Sequence, residues 1–343
     1  MEILFTKHWN LYFEFFSEEQ YDIYFKEEYV YLYKSTTEEP CCLVIHEGNF
    51  YMLFPFLKRT FYYQHQCYFD FETAYGYGGP VYNTCDESFI KNSLSTLYET
   101  FNKHFYIAGF VRFHPLMENY YGFEAIGKII FDRKTIAIDL SQSESVIWMD
   151  EIHTKNRNVI KKAEKNGLEF IVDENFLYLP SFIKLYNSTM DKLSADGFYY
   201  FSTSYYQNLR KHIANSFLGI VKKNNDVLSA AIFFYHPPYS HYHLSGSNKE
   251  FLYLSPNNFM LYQAALELKR RGAQLFHLGG GTTSSESDSL YCFKSRFSKN
   301  RYQFAIGKLI FNSSVYQNLC HDWEVSNPEK VEQYKYFLLK YKY

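Results

Sequence analysis

The residues best equipped for chemistry lie between Gln274 and Asn312, in QLFHLGGGTTSSESDSLYCFKSRFSKNRYQFAIGKLIFN. An apolar run, Leu275 to Leu278, reads as a short buried strand. Gly279, Gly280 and Gly281 follow, and consecutive glycines admit positive φ and let a ligand come close to the backbone. A polar loop, Thr282 to Ser289, holds Glu286 and Asp288. Leu290, Phe293 and Phe297 then recur at helical spacing, with Lys294 and Arg296 placed off that stripe. Tyr302 to Phe311 reads as a returning strand. A glycine turn between a strand and a short cationic helix can cradle an acyl or a phosphate group. Triple glycine with Thr and Ser is also ordinary loop composition. The stretch lacks the trailing lysine of a P-loop and the spacing of a dinucleotide fingerprint.

Three other places combine suitable residue types. Tyr75, Tyr77 and Gly78, in DFETAYGYGGPVY, join backbone freedom to phenol donors, a mixture that grips polar substrates; the competing reading is a plain turn. Arg112 and His114, in FVRFHP, would share one face of a strand. HTKNRNVIKKAEKNG, residues 153 to 167, forms the most basic helix, with Lys155 and Arg157 in its first half, where the helix dipole disfavours cations. That local cost points to a bound polyanion, against the commoner reading of a solvated face. His241 and His243 form an HxH pair without a third ligand at useful spacing, so no metal is expected.

The elements around these residues alternate strands and helices. Hairpins are expected at Cys42–His46 with Phe50–Leu57, around Gly48, and at Phe217–Lys222 with Val227–Tyr235, around Asn224. Amphipathic helices are expected over 87–105, 153–167, 177–193, 205–217 and 254–272, where Pro256 sits in the first turn and Gly272 closes the end. Pro328 to Tyr343 reads as a last amphipathic helix, and Asp22 to Lys34 as the start of a strand. Lys128 to Leu140 reads as a hinge with two strand-like runs. The 343 residues exceed what one core usually serves. Two α/β (α+β) domains are expected, residues 1–135 joined by the C-terminal helix 326–343, and residues 136–325.

Composition removes several function classes. A charged fraction of 21% beside 47% hydrophobic residues indicates a folded chain. A formal net charge of -2 gives no global attraction to nucleic acid, so no DNA partner is expected. The 35 Tyr and 34 Phe could supply stacking surfaces, but codon bias is the simpler account. Six cysteines without a CxxC pair suit a reduced, cytoplasmic protein. The start, MEILFTKHWN, lacks the pattern of a signal peptide, and no apolar run is long enough to span a membrane. No G-x-S-x-G elbow is present, nor an ordered Ser-His-Asp set.

Taken in order, NRNVIKKAEKNG (156–167), YLSPNNFMLYQAALELKRRG (253–272) and FHLGGG with LYCFKSRF (276–297) resemble the FemABX-type aminoacyltransferases. YGYGGP and VRFHP carry a weaker likeness in the first domain. The resemblance implies two GNAT-like domains, each a mixed, mostly antiparallel sheet flanked by helices, the first on the acceptor side. It implies transfer of an aminoacyl group from aminoacyl-tRNA, or of another acyl group, to an amine of a cell-wall or polysaccharide precursor, with no cofactor beyond the donor cosubstrate. Lys294 would stabilise the oxyanion of the tetrahedral intermediate. Arg296 would assist or hold a phosphate, and Lys155 and Arg157 would meet donor or nucleotide phosphates. Asn258 and Gly279, Gly280 and Gly281 complete the substrate-binding set, and Tyr75, Tyr77, Gly78 and Arg112 would hold the acceptor. The family often places an acidic residue where this chain has His114, which could itself take the proton. The chain lacks the coiled-coil arm of some relatives. Two alternatives stay open: an acyl-CoA-dependent N-acyltransferase acting on a nucleotide-linked amino sugar, and a non-catalytic GNAT-like module.

Overall fold

The computed structural model describes residues 1–343, which divide into two units: 1–132 with 303–343, and 133–302. The sequence reading drew these lines at 135/136 and 325/326. The pairing of the strands explains the later difference.

The first unit opens with an edge strand, β1 (Glu2–Thr6). Residues 22–34, read from sequence as the start of a strand, instead form 3-10 turns and a helical turn at Glu27–Tyr31. Asp22 caps the Ile23 amide, and the Glu27 side chain accepts from Asn10 N at 2.7 Å. The first of these bonds is local and competes with strand formation, and the second ties the turn to Asn10. Then come β2 (Glu38–Glu47), β3 (Phe50–Tyr63), β4 (Gln66–Glu72) and the short β5 (Val81–Tyr82). β2 pairs with β3 as far as Arg59, and β3 runs on to Tyr63 against β4. Helix α1 (Glu87–Lys103) starts where Asp86 accepts from Phe89 N at 2.7 Å, and it buries Phe89, Leu94, Leu97 and Phe101. It leads into β6 (Tyr106–Arg112), which pairs parallel with β4. Phe54, Phe56, Phe71, Phe101 and Tyr106 pack around one another in this core. Much of the aromatic excess is therefore spent on packing.

β7 (Lys128–Asp139) is one strand rather than a two-part hinge, and it carries the chain into the second unit. There follow α2 (Thr154–Lys165), β8 (Glu169–Asp173), α3 (Leu179–Lys192), α4 (Thr203–His212), β9 (Ser216–Lys223), β10 (Asp226–His236), β11 (Tyr239–Ser247), α5 (Pro256–Arg270), β12 (Leu275–Gly280) and α6 (Ser289–Lys294). The sheet order is β8-β9-β10-β11-β12-β7. Only β11 and β12 pair in parallel, with α5 as their crossover. Gly246 on β11 lies so close to α3 that a Cβ there would sit 2.3 Å from the Leu185 carbonyl carbon and the Tyr186 nitrogen. Backbone cannot yield as a side-chain tip does. Gly246→Ala is therefore expected to cost about 2 kcal/mol or more, measured as a lower midpoint in urea unfolding; an unchanged midpoint would contradict this packing.

β13 (Arg301–Ile310) returns to the first unit and pairs antiparallel with β6, Ile306 opposite Arg112. The first sheet then reads β1-β2-β3-β4-β6-β13. Apart from the short β5, which pairs with β3, both sets of strands hold three antiparallel pairings, one parallel pairing across a helical crossover, and one antiparallel pairing at the end. This is an internal repeat of architecture. Residues 303–325 belong with the first unit because β13 completes its sheet and α7 (Ser313–Ser326) follows directly. The single helix expected over 328–343 is broken into short turns. Tyr316 Oη donates to Leu338 O, and Trp323 Nε1 to Tyr343 O. These anchors hold the segment in a non-helical path.

Candidate active site

In the second unit the glycine corner, the loop after it and α6 form one assembly. Gly279 has φ of 75°, and a Cβ there would stand 3.2 Å from Lys294 Nζ. Lys294 is 8% exposed and donates from Nζ to Gly280 O at 2.8 Å. Tyr291 and Lys294 are the buried residues of α6, whereas Leu290 is exposed. The inward stripe thus contains the lysine, which corrects the expected stripe through Leu290. The ring of Tyr242 lies 6.0 Å from Nζ. Burial pushes the Lys294 ammonium down to about 7, Asp288 opposes that shift, and Arg133 adds to it.

Asp288 closes the loop. Its Oδ1 accepts from the amides of Leu290 and Tyr291 at 2.9 and 3.0 Å, capping α6. Its Oδ2 accepts from Thr282 Oγ1 at 2.6 Å and from the Thr282 and Thr283 amides at 3.2 Å. Burial works against the carboxylate, but these hydrogen bonds hold Asp288 well below the usual range. Arg133 Nη1 donates to Gly281 O at 2.9 Å and Thr282 O at 3.1 Å. From sequence, Asp288 stands out only as an acidic residue of the polar loop, and Arg133 not at all. An aspartate just before a short helix is a capping signal, but nothing local marks Arg133.

A second feature of the same unit is a cavity of about 490 Å³ lined by Lys155, Asn156, Ser255, Asn258, Phe293 and Arg296. Three residues chosen from sequence, Lys155, Asn258 and Arg296, meet there. The first turns of α2 and α5 both contribute to the wall. His153 N donates to Arg296 O at 2.9 Å, tying the start of α2 to the end of α6. Lys155 and Arg296 are exposed, while Asn156 is 2% exposed. Asn258 Nδ2 donates to Asn156 Oδ1 at 3.2 Å, and the buried Asn156 Nδ2 has no protein partner. Two positive helix ends, two cations and a spare amide donor favour an anionic group. Arg157 lies outside this set: its guanidinium donates to the carbonyls of Met149 and Ile152 at 2.6 and 2.8 Å, and to Thr154 Oγ1 at 3.0 Å.

In the first unit His114 is fully buried, with Nε2 2.8 Å from Asp22 Oδ2, also fully buried. Asp22 was missed because 92 residues separate the pair. It supplies a carboxylate beside the histidine that stands where the family often has an acid. The Tyr77 ring packs edge-on against His114 at 5.4 Å. Gly78 O accepts from Asn119 Nδ2 at 2.8 Å, and Tyr75 O from Tyr29 Oη at 2.6 Å. Arg112 stands apart from this cluster, donating to Thr73 O at 2.7 Å and to Glu72 Oε2 at 3.0 Å.

Residues 153–288 match the family model described as an acetyltransferase (GNAT) domain. No curated protein matches the chain in sequence. Among solved structures, the chain is similar to FemX, with a TM-score of 0.71 and 14% identity over 92% of this chain and 99% of that one. It is also similar to L-PGS from Bacillus licheniformis, at 0.52 and 12% over 76% and 81%. A third likeness is to the C-terminal domain of a putative lysylphosphatidylglycerol synthetase from Agrobacterium fabrum, at 0.50 and 13% over 80% and 85%. The chain therefore has the FemABX-type fold of two GNAT-like units, the second of which carries an acyltransferase domain of GNAT type.

Proposed function

We propose that the protein transfers an aminoacyl group, carried as an ester on tRNA, to an amine of a cell-wall or polysaccharide precursor. The observation that carries the transfer chemistry is Lys294, buried beside the glycine corner with its amine on the Gly280 carbonyl. The FemX-like fold over nearly the whole chain supports an aminoacyl donor. The GNAT acetyltransferase match supports a second reading, in which the donor is an acyl thioester of CoA.

The acceptor amine attacks the donor carbonyl, and negative charge gathers on its oxygen. An ammonium carries three donors. With one held by Gly280, two remain to meet that oxygen, where they stabilise the transition state more than the ground state. Collapse breaks the carbonyl–oxygen or carbonyl–sulfur bond, releasing the alcohol or thiol, and the amine loses a proton. The phosphate of the donor is assigned to the cavity of Lys155, Asn156, Asn258 and Arg296.

Supplying the protein with aminoacyl-tRNA in one arm and acyl-CoA in the other, with amino-sugar and peptide acceptors, decides the donor. Transfer in neither arm would sink the reading. Arg296→Ala is expected to raise KM for the working donor about tenfold, an effect that salt weakens, with kcat nearly unchanged. An unchanged KM would remove the cavity from the donor site.

A further inference from the structure

The loop between the glycine corner and α6 is gripped from both sides by opposite charges. Asp288 takes the amide and hydroxyl groups of Thr282 and Thr283, and Arg133 takes the carbonyls of Gly281 and Thr282. The fit is close: a Cβ on Gly281 would stand 2.5 Å from Asp288 Oδ1. The same aspartate caps the helix that bears Lys294, so one carboxylate joins corner and lysine. We propose that Asp288 and Arg133 are opposed positioning residues for Lys294, clamping the loop onto it and setting which charge faces its amine. This rests on the acyl-transfer reading of Lys294 for its consequence in catalysis, though not for its effect on the lysine itself.

The charged and titratable groups around Nζ can be named from each element. The loop gives Asp288, and β7 gives Arg133. Lys134, also on β7, is paired with Glu286 of the loop at 2.7 Å in solvent. β11 gives the Tyr242 ring, whose phenol burial keeps neutral, pushed up to about 12. Burial sets the low proton affinity of Lys294, and Asp288 and Arg133 then act on it in opposite senses. Losing the carboxylate charge must make the ammonium harder to keep, and losing the guanidinium must make it easier.

The test uses the full chain labelled with nitrogen-15 at lysine, with Lys294→Arg to assign the signal. Titration of Lys294 Nζ is followed by NMR without substrate, and the pH dependence of kcat is recorded in parallel. Asp288→Asn keeps size and the oxygen that caps α6 but turns the other into an amide donor; it should move the Lys294 titration down by about half a pH unit or more. Arg133→Gln should move it up by a similar amount. The alkaline limb of kcat should follow each shift, while KM changes little. A titration that stays in place in both variants, or moves the same way in both, overturns the proposal, because loosened packing alone would not give opposite signs. If the titrations move as expected but kcat does not track them, the opposed pair stands and the acyl-transfer reading of Lys294 falls. Loss of folding in the Arg133 variant leaves Asp288→Asn decisive, because loosened packing would hydrate the ammonium and raise the titration, against the fall expected.

Discussion

Lys294→Met should lower kcat by about 10²- to 10³-fold, the range seen when one donor to a developing oxyanion is removed, with KM for either substrate changed only a few-fold. Methionine fills similar space without charge or donor, so the core of the second unit should persist. The pH profile carries the same claim. The lysine must be protonated to meet the oxyanion, and its ammonium is pushed down to about 7. As pH rises through 7 the proton leaves, so kcat should fall on the alkaline side and recover when pH is lowered. Lys294→Arg should abolish that limb even if it is slower overall, because a guanidinium stays charged. Single-turnover rates between pH 6 and 9 would show this. A Met variant turning over at the native rate would end the role assigned to Lys294, and a rate that climbs with pH through 7 would make it a base instead.

The second large effect is on stability. Glu72 lies between Arg112, at 3.0 Å, and Lys342, which also pairs with Glu38. Burial alone would raise the Glu72 carboxyl, but Arg112 and Lys342 overcome it and hold it down at about 2, against 4.5 for a free glutamate. Glu72→Gln leaves two cations around a neutral amide and is expected to cost about 3 kcal/mol. The sign with pH follows from the depressed value. The contribution is complete above 4.5 and is lost as pH falls from there toward 2. Urea unfolding at pH 7 and pH 3 should therefore show a gap between native and variant at pH 7 that is about halved or more at pH 3. Equal gaps at both would mean that packing, and not charge, is responsible. Lys342→Met should also destabilise, and combining it with Glu72→Gln should cost less than the sum, as partners in one network do.

The hairpins, α1, α2 and α5 were legible because apolar period and end signals agreed: Pro256 opens α5 and the glycine at 272, with φ of 89°, closes it. The glycine corner and its lysine were legible by type and order. Arg133, Asp22 and the inward turn of Lys294 were not, since each depends on a partner far along the chain. The C-terminal segment shows the reverse failure. Its apolar spacing suits a helix, but Lys342 bound to Glu38 and Glu72, and Trp323 bound to the last carbonyl, override local preference. Arg157 had the right type for a phosphate ligand, and its guanidinium is occupied by nearby carbonyls.

The order in which the two sheets receive their last strands bears on how the polypeptide emerges from the ribosome. The unit spanning 133–302 is one uninterrupted length of chain. The other begins first yet finishes last: until Arg301–Ile310 has emerged, β6 presents a bare ladder of amides and carbonyls. During synthesis the first-encoded half thus waits with an open flank, the condition in which stray strand pairing is most costly.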